Sequence, residues 1–216
     1  MSFPIRARTI ALGAGAAIAL TACASNPVHY YTLVSPATSA TTTATSTTAR
    51  AAAPLAINVL PVGIPAQLDQ QQMVVRSGTG AARILDNERW VAPLGDELRA
   101  ALSSALVEQL GARNVTGLPR PSNQTVMSIR TQVRRFDAWP GSMAQFEADW
   151  VVGVQQDTPG TPGTRISCST RLNEAAPGGY ADMVRVQQRM IEQFATRIAS
   201  TVRSFGNGRP ACPADS

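Results

Sequence analysis

Three stretches of strict alternation in the second half of the chain narrow the choice of fold more than any other feature. Thr125 to Phe136 sets Met127, Ile129 and Val133 on one side and Arg130, Gln132 and Arg134 on the other. Gln145 to Gln155 sets Phe146, Ala148, Trp150, Val152 and Val154 against Gln145, Glu147 and Asp149. Arg165 to Glu174 sets Ile166, Cys168 and Leu172 against Arg165, Ser167, Ser169 and Arg171. A period of two belongs to a strand with one buried face, because successive side chains leave the backbone on opposite sides. Trp139-Pro140-Gly141 is the turn between the first two segments, and Asp157 to Gly163, with two Pro-Gly-type breakers, separates the second from the third. The expected result is an antiparallel meander with one apolar and one polar face. Across its strands the polar face reads Arg130 and Arg134, then Glu147 and Asp149, then Arg171. Opposite charges facing across strands contribute roughly 0.2–1 kcal/mol per pair. Two readings of this face stay open: a solvated sheet surface, or a docking surface served by Arg134 and Arg171.

The apolar face must be covered, and two segments have the period to do it. Pro93 to Leu110 carries Leu94, Leu98, Ala101, Leu102, Ala105, Leu106 and Leu110 as one helical stripe. Pro93 suits its first turn, Asp96 and Glu97 complement the N-terminal dipole, and Gly111 suits the position past its end. Ala181 to Phe205 carries Met183, Val186, Met190, Phe194, Ile198, Val202 and Phe205, and Gly206 ends it. Shorter strand candidates are Tyr30 to Leu33, Leu55 to Val62, Met73 to Arg76 and Ala81 to Leu85, the last two around the hairpin-type turn Ser77-Gly78-Thr79-Gly80. Gly117 to Asn123 reads as a Pro-rich loop. Ala37 to Ala53 is almost entirely Thr, Ala and Ser, with too little apolar area to offset ordering entropy, and reads as a disordered loop. The fold expected is α/β: a two-layer sandwich, with a mixed, mostly antiparallel sheet and two amphipathic helices packed on one face.

The N-terminus gives an address. Met1 to Thr9 carries Arg6 and Arg8 and no acid, Ile10 to Leu20 is an apolar run of 11 residues, and Leu20-Thr21-Ala22-Cys23 follows. That is the layout of a secretory signal, and the run is short of the roughly 20 residues a helix needs to span a bilayer. Leu-Thr-Ala-Cys is a bacterial lipobox, so Cys23 is expected to take a diacylglycerol and become the first residue of the mature chain. Two or three acyl chains, at about 0.8 kcal/mol per buried methylene, make a stable anchor where one is marginal. Ala24, in place of the Asp that retains lipoproteins at the inner membrane of enteric bacteria, favours the outer membrane. The expected organisation is a signal peptide over 1–22, a membrane-proximal spacer over 23–29, one domain over 30–205 containing the 37–53 loop, and a tail over 206–216.

Composition removes other classes. The mature chain has 194 residues, 17 Arg against 14 acids and no Lys. This net +3 is spread along the chain, whereas a nucleic-acid footprint needs clustered bases. His29 is the one histidine, so a His-based triad lacks a rigidly supported base. No Cys/His cluster has metal spacing, and Gly78 and Gly80 lack what a phosphate-binding loop requires after them. Neither catalysis nor a cofactor or metal is expected. Cys168 and Cys212 remain, in a disulfide-permissive compartment. They are either a buried thiol and a stray tail thiol or a disulfide clamping the tail to the sheet.

A set of short motifs comes after the lipobox in order. They are Tyr30-Tyr31-Thr32-Leu33, Ile57 to Pro65, Leu68-Asp69, Met73-Val74-Val75-Arg76, Glu88 to Leu94, Arg135-Phe136-Asp137 and Ala148-Asp149-Trp150. In order and spacing the chain resembles the PqiC/YmbA family, the ABC-type transport auxiliary lipoproteins that accompany Mce-type lipid transport systems. Gln70-Gln71-Gln72 stands where that family tends to have a basic or Pro-containing turn, and the Thr/Ala insert is longer than usual. The resemblance implies a periplasm-facing lipoprotein that docks with an Mce-domain protein and its permease complex, as a homo-oligomeric ring if it stacks on a multimeric partner. It implies no catalytic residues. The other function class that fits is a structural envelope lipoprotein in outer-membrane assembly or peptidoglycan attachment. Within the motifs, Arg89 and Trp90 are either partner contacts or structural: Arg89 paired to Glu88 or Asp69, Trp90 packed where the chain enters the helix.

Overall fold

The computed structural model describes residues 26–36, 55–119, 121, 124–155 and 163–213. The signal segment, Cys23 and the Thr/Ala loop lie outside the described residues. β1 (His29–Tyr31), β2 (Leu55–Val59), β3 (Gln72–Ser77) and β4 (Ala81–Trp90) lead into α1 (Leu94–Leu110); β5 (Arg113–Asn114), β6 (Thr125–Trp139), β7 (Ser142–Val154) and β8 (Arg165–Ala176) lead into α2 (Tyr180–Gly206). The meander and both helices are where the periodicity puts them.

The strands form two sheets where the sequence suggested one. A five-stranded sheet has the order β5-β2-β6-β7-β8, and a three-stranded sheet has the order β1-β4-β3. β6, β7 and β8 are antiparallel, while β2 runs parallel to both β5 and β6. β4 extends to Trp90, five residues past its expected end at Leu85, because it pairs on both sides: antiparallel to β3 and parallel to β1. β2 ends at Val59, yet the chain stays on β6, with Leu60 N–H donating to Ile129 (2.9 Å) and Gly63 N–H to Thr131 (3.0 Å). Three residues from Leu60 to Gly63 match two on β6 from Ile129 to Thr131, and that extra residue breaks the ladder.

α1 and α2 pack on each other and cover the apolar face of the larger sheet, α1 toward β2 and β5, α2 toward β7 and β8. The backbone at Gly111 turns to φ 59°, the left-handed conformation that stops α1. An aromatic chain runs through the core: Trp90 to Phe136 (6.5 Å between centroids), Phe136 to Phe146 (6.3 Å), Phe146 to Phe194 (5.0 Å) and Phe194 to Trp150 (6.1 Å). Trp150 buries its indole and keeps its N–H satisfied on Thr170 Oγ1 at 3.0 Å. The same core joins the two sheets, since Trp90 belongs to the small one and Phe136 to the large one. An ion pair reinforces the joint: Arg76 Nε of β3 donates to Asp137 Oδ1 of β6 at 2.8 Å, with the Asp137 side chain 11% exposed.

Candidate functional site

The polar face of the meander is the surface the sequence singled out. A register shift between Val133 and Arg135 bulges β6 there and re-aims the rest of the strand: Phe136 and Ala138 take over the buried positions, and Arg134 and Arg135 both stay outside. Arg134 Nε donates to Asp149 Oδ2 of β7 at 2.8 Å, with both side chains more than half exposed. Arg135 donates to Gln145 Oε1 at 3.0 Å and stands 3.7 Å from Glu147 Oε1. Arg171 of β8 lies directly opposite Glu147 in the ladder. The expected Arg/acid/Arg banding is therefore present on adjacent strands. Ion pairs this exposed are worth about 0–1 kcal/mol to the fold. Their effect lies in the potential they present to whatever approaches the sheet.

Beside these charges the face dips into an open hollow of about 560 Å³ lined by Arg130, Gln132, Asp149, Ser169 and, from the tail, Cys212 and Pro213. The tail is pinned there. Cys212 is disulfide-bonded to Cys168 on the edge strand β8, with Cα atoms 5.7 Å apart. Ala211 is held by α2, its carbonyl accepting from Thr201 Oγ1 at 2.9 Å and its N–H donating to Ser204 Oγ at 3.0 Å. Of the two readings of these cysteines, the structure carries the clamp.

Arg89 and Trp90 sit elsewhere, at the end of β4. Trp90 is 3% exposed and stacked toward Phe136, the structural position. Arg89 makes neither of the acid pairs expected for it. Its Nε donates instead to the backbone carbonyl of Asp86 at 2.9 Å. Glu88 is taken by His29, Nδ1 to Oε1 3.0 Å, because β1 lies parallel to β4 with those two residues in register. Local sequence could not disclose that: the partner strand comes 59 residues earlier.

Sequence reasoning also missed a clamp on the N-terminal segment. Glu97, assigned to the helix dipole, is 5% exposed, and its Oε2 accepts from Thr32 Oγ1 at 2.8 Å and from Leu33 N–H at 2.9 Å. Gln188 Nε2 of α2 donates to the Thr32 carbonyl at 2.9 Å, and Ser35 Oγ donates to Glu192 Oε1 at 2.5 Å. Leu33, 1% exposed, is thereby driven into the core. The signal available was an acid at a helix position next to the apolar stripe. Near this segment burial pushes the Tyr31 phenol up to about 12, and the Glu88 carboxylate adds to the shift.

Among the described residues no cluster of His, Cys, Asp and Glu is arranged to hold a metal ion, and no helix is long and apolar enough to cross a membrane. The charged band stands exposed on a scaffold of two sheets joined through one core. The fold is that of a crystal structure of an uncharacterized protein, at 21% identity and TM-score 0.61 over 82% of this chain and 99% of that one. A second structure, protein XCC0632 of the DUF330 family from Xanthomonas campestris, matches at 14% identity and TM-score 0.52 over 73% of this chain and 88% of that one. No curated protein matches in sequence. The family described as the ABC-type transport auxiliary lipoprotein component matches residues 31–199, from β1 through most of α2, and the chain belongs to that family.

Proposed function

We propose that the protein is a membrane-anchored accessory lipoprotein of an Mce-type ABC transport system. It supports lipid transport between the inner and outer membranes, held at the outer membrane by acyl chains on Cys23. It docks to the periplasmic Mce-domain protein of that system as a homo-oligomeric ring, since matching cyclic symmetry lets every subunit dock. Family membership supplies the transport context. The observation that carries the docking role is the exposed band of Arg134, Asp149, Glu147 and Arg171 on a sheet whose stability does not need it. A face of this kind sets encounter rate and salt dependence more than it sets the fold.

The test is co-purification from membrane extracts. Arg134→Glu and Arg171→Glu reverse charge on the band. Each is expected to weaken capture of the Mce protein while moving the melting temperature by no more than about 4 °C, since an exposed pair is worth at most about 1 kcal/mol. Wild-type protein that captures no Mce-family protein and is strictly monomeric by native mass would refute the proposal.

A further inference from the structure

The smaller sheet has an outward face that neither the core nor the charged band uses. β1 pairs parallel with β4 so that Tyr30 stands beside Arg89, and Tyr31 beside Trp90. Residues in register share a side of the sheet and neighbours along a strand alternate. His29, Tyr31, Glu88 and Trp90 therefore occupy the inner side, as the His29–Glu88 contact and the burial of Trp90 require. Val28, Tyr30, Arg89 and Val91 occupy the outer side. Three of the five large apolar side chains most exposed among the described residues are in this one group: Val28 at 39%, Tyr30 at 59% and Val91 at 58%. The group is an apolar cluster with one aromatic ring carrying a hydroxyl and one guanidinium.

We propose that this outer face of β1 and β4 rests on the surface of the bilayer that holds the anchor. The proposal rests on lipidation of Cys23. Two observations choose the bilayer over other occupants. The first is chain length. Tyr30 is seven residues from Cys23, and a fully extended segment of that length reaches about 25 Å. The Glu97 and Gln188 clamp fixes the chain immediately after β1, so slack in the segment beyond cannot lower the domain away from the membrane. The face nearest the anchor is thus held within reach of the headgroups. The second is composition. Tyrosine places an apolar ring and a polar tip at the water–lipid boundary, arginine keeps its cation among phosphates while its stem lies on apolar surface, and valine adds buried area. A cation beside the surface is also drawn by anionic lipids.

Apposition would set the orientation of the whole domain, because β4 is joined rigidly through Trp90 and Phe136 to the large sheet. The charged band would then be presented at a fixed angle to the membrane.

The test uses the full-length lipoprotein in vesicles of phosphatidylcholine and phosphatidylglycerol. Tyr30→Trp adds a reporter on the face, and Ser169→Trp adds one on the charged band as a control. Lipids brominated near the headgroup should quench the emission added by Tyr30→Trp about twofold and leave that added by Ser169→Trp unchanged, the depth an interfacial aromatic occupies. Flotation of the wild type and a mass showing the acyl-modified Cys23 are measured in parallel. If the protein fails to float, the anchor reading fails first and takes the proposal with it. If it floats and Tyr30→Trp is unquenched, the bilayer proposal alone is overturned. Unquenched Tyr30→Trp whose emission instead shifts to the blue as protein concentration rises would assign the face to a subunit contact.

Discussion

Replacing Glu97 with Ala tests how the N-terminal segment is attached to the domain. Its carboxylate is nearly buried and holds two donors on one oxygen, the Thr32 hydroxyl and the Leu33 N–H. Hydrogen bonds to a charged group are worth roughly 1.5–3 kcal/mol each, and the two share an acceptor, so the loss is about 2–4 kcal/mol in total. There is a ceiling. If leaving those donors unpaired costs more than releasing the segment, the segment lifts off, and the loss is limited to its own contacts, chiefly the burial of Leu33 at about 1.5–3 kcal/mol. The first route lowers the melting temperature by about 4–16 °C and the second by about 3–12 °C for a domain of this size. The two are separated by hydrogen exchange: on release, amide protection at Tyr31 and Leu33 collapses while β6 and β7 keep theirs. Glu97→Gln keeps an acceptor but removes the charge, and should lose about half as much. A Glu97→Ala protein that melts within about 2 °C of wild type, with the Leu33 amide still protected, would refute the clamp.

Other outcomes derive from the same contacts. Cys212→Ser or Cys168→Ser opens a link between residues 44 apart, and the chain-entropy relation puts the loss at about 4 kcal/mol at most, less whatever freedom the released tail regains, read as a shift in denaturant midpoint. Tyr31 holds its proton more tightly folded, up to about 12, than at its ordinary 10.0, so its contribution to stability is whole below pH 10.0 and is lost as pH rises through about 12; ultraviolet titration should show a late phase that is absent in Tyr31→Phe. Cys23→Ser should abolish labelling by fatty acid, and an unlabelled wild type with Met1 retained would end the lipoprotein reading.

The long alternating segments and the two helices were legible because each carries its own signal. Thr125 to Val133 in β6 and Gln145 to Val154 in β7 repeat a period that only a half-buried strand satisfies, and Pro93 and Gly111 mark the ends of α1 by local chemistry. The charged banding was legible for the same reason, since the turn at Trp139-Pro140-Gly141 sets the register nearby. Even there, the bulge at Val133 to Arg135, which turns Phe136 into the core, has no local signature. The family was readable from the order of short motifs, each of which alone is only a piece of strand or turn.

The sequence by itself determined whatever depends on neighbours in the chain: the period of each element, its caps and turns, and the lipobox at Cys23. Tertiary structure alone decided which elements meet. The β3–β4 hairpin stands apart from the larger sheet, and its third strand comes from β1 reaching β4 across 59 residues, a pairing too short to announce itself. The fate of the polar residues depends on such pairings. Arg89 turned to a backbone carbonyl on the outer side of β4, while β1 delivered His29 to Glu88 on the inner side. Arg76 found Asp137 across the sheet junction, Glu97 was buried by Thr32 and Leu33, and Cys212 was brought to Cys168 by the packing of α2. Charges and thiols act at contact distance, and contact between residues far apart in sequence is set by the path of the folded backbone.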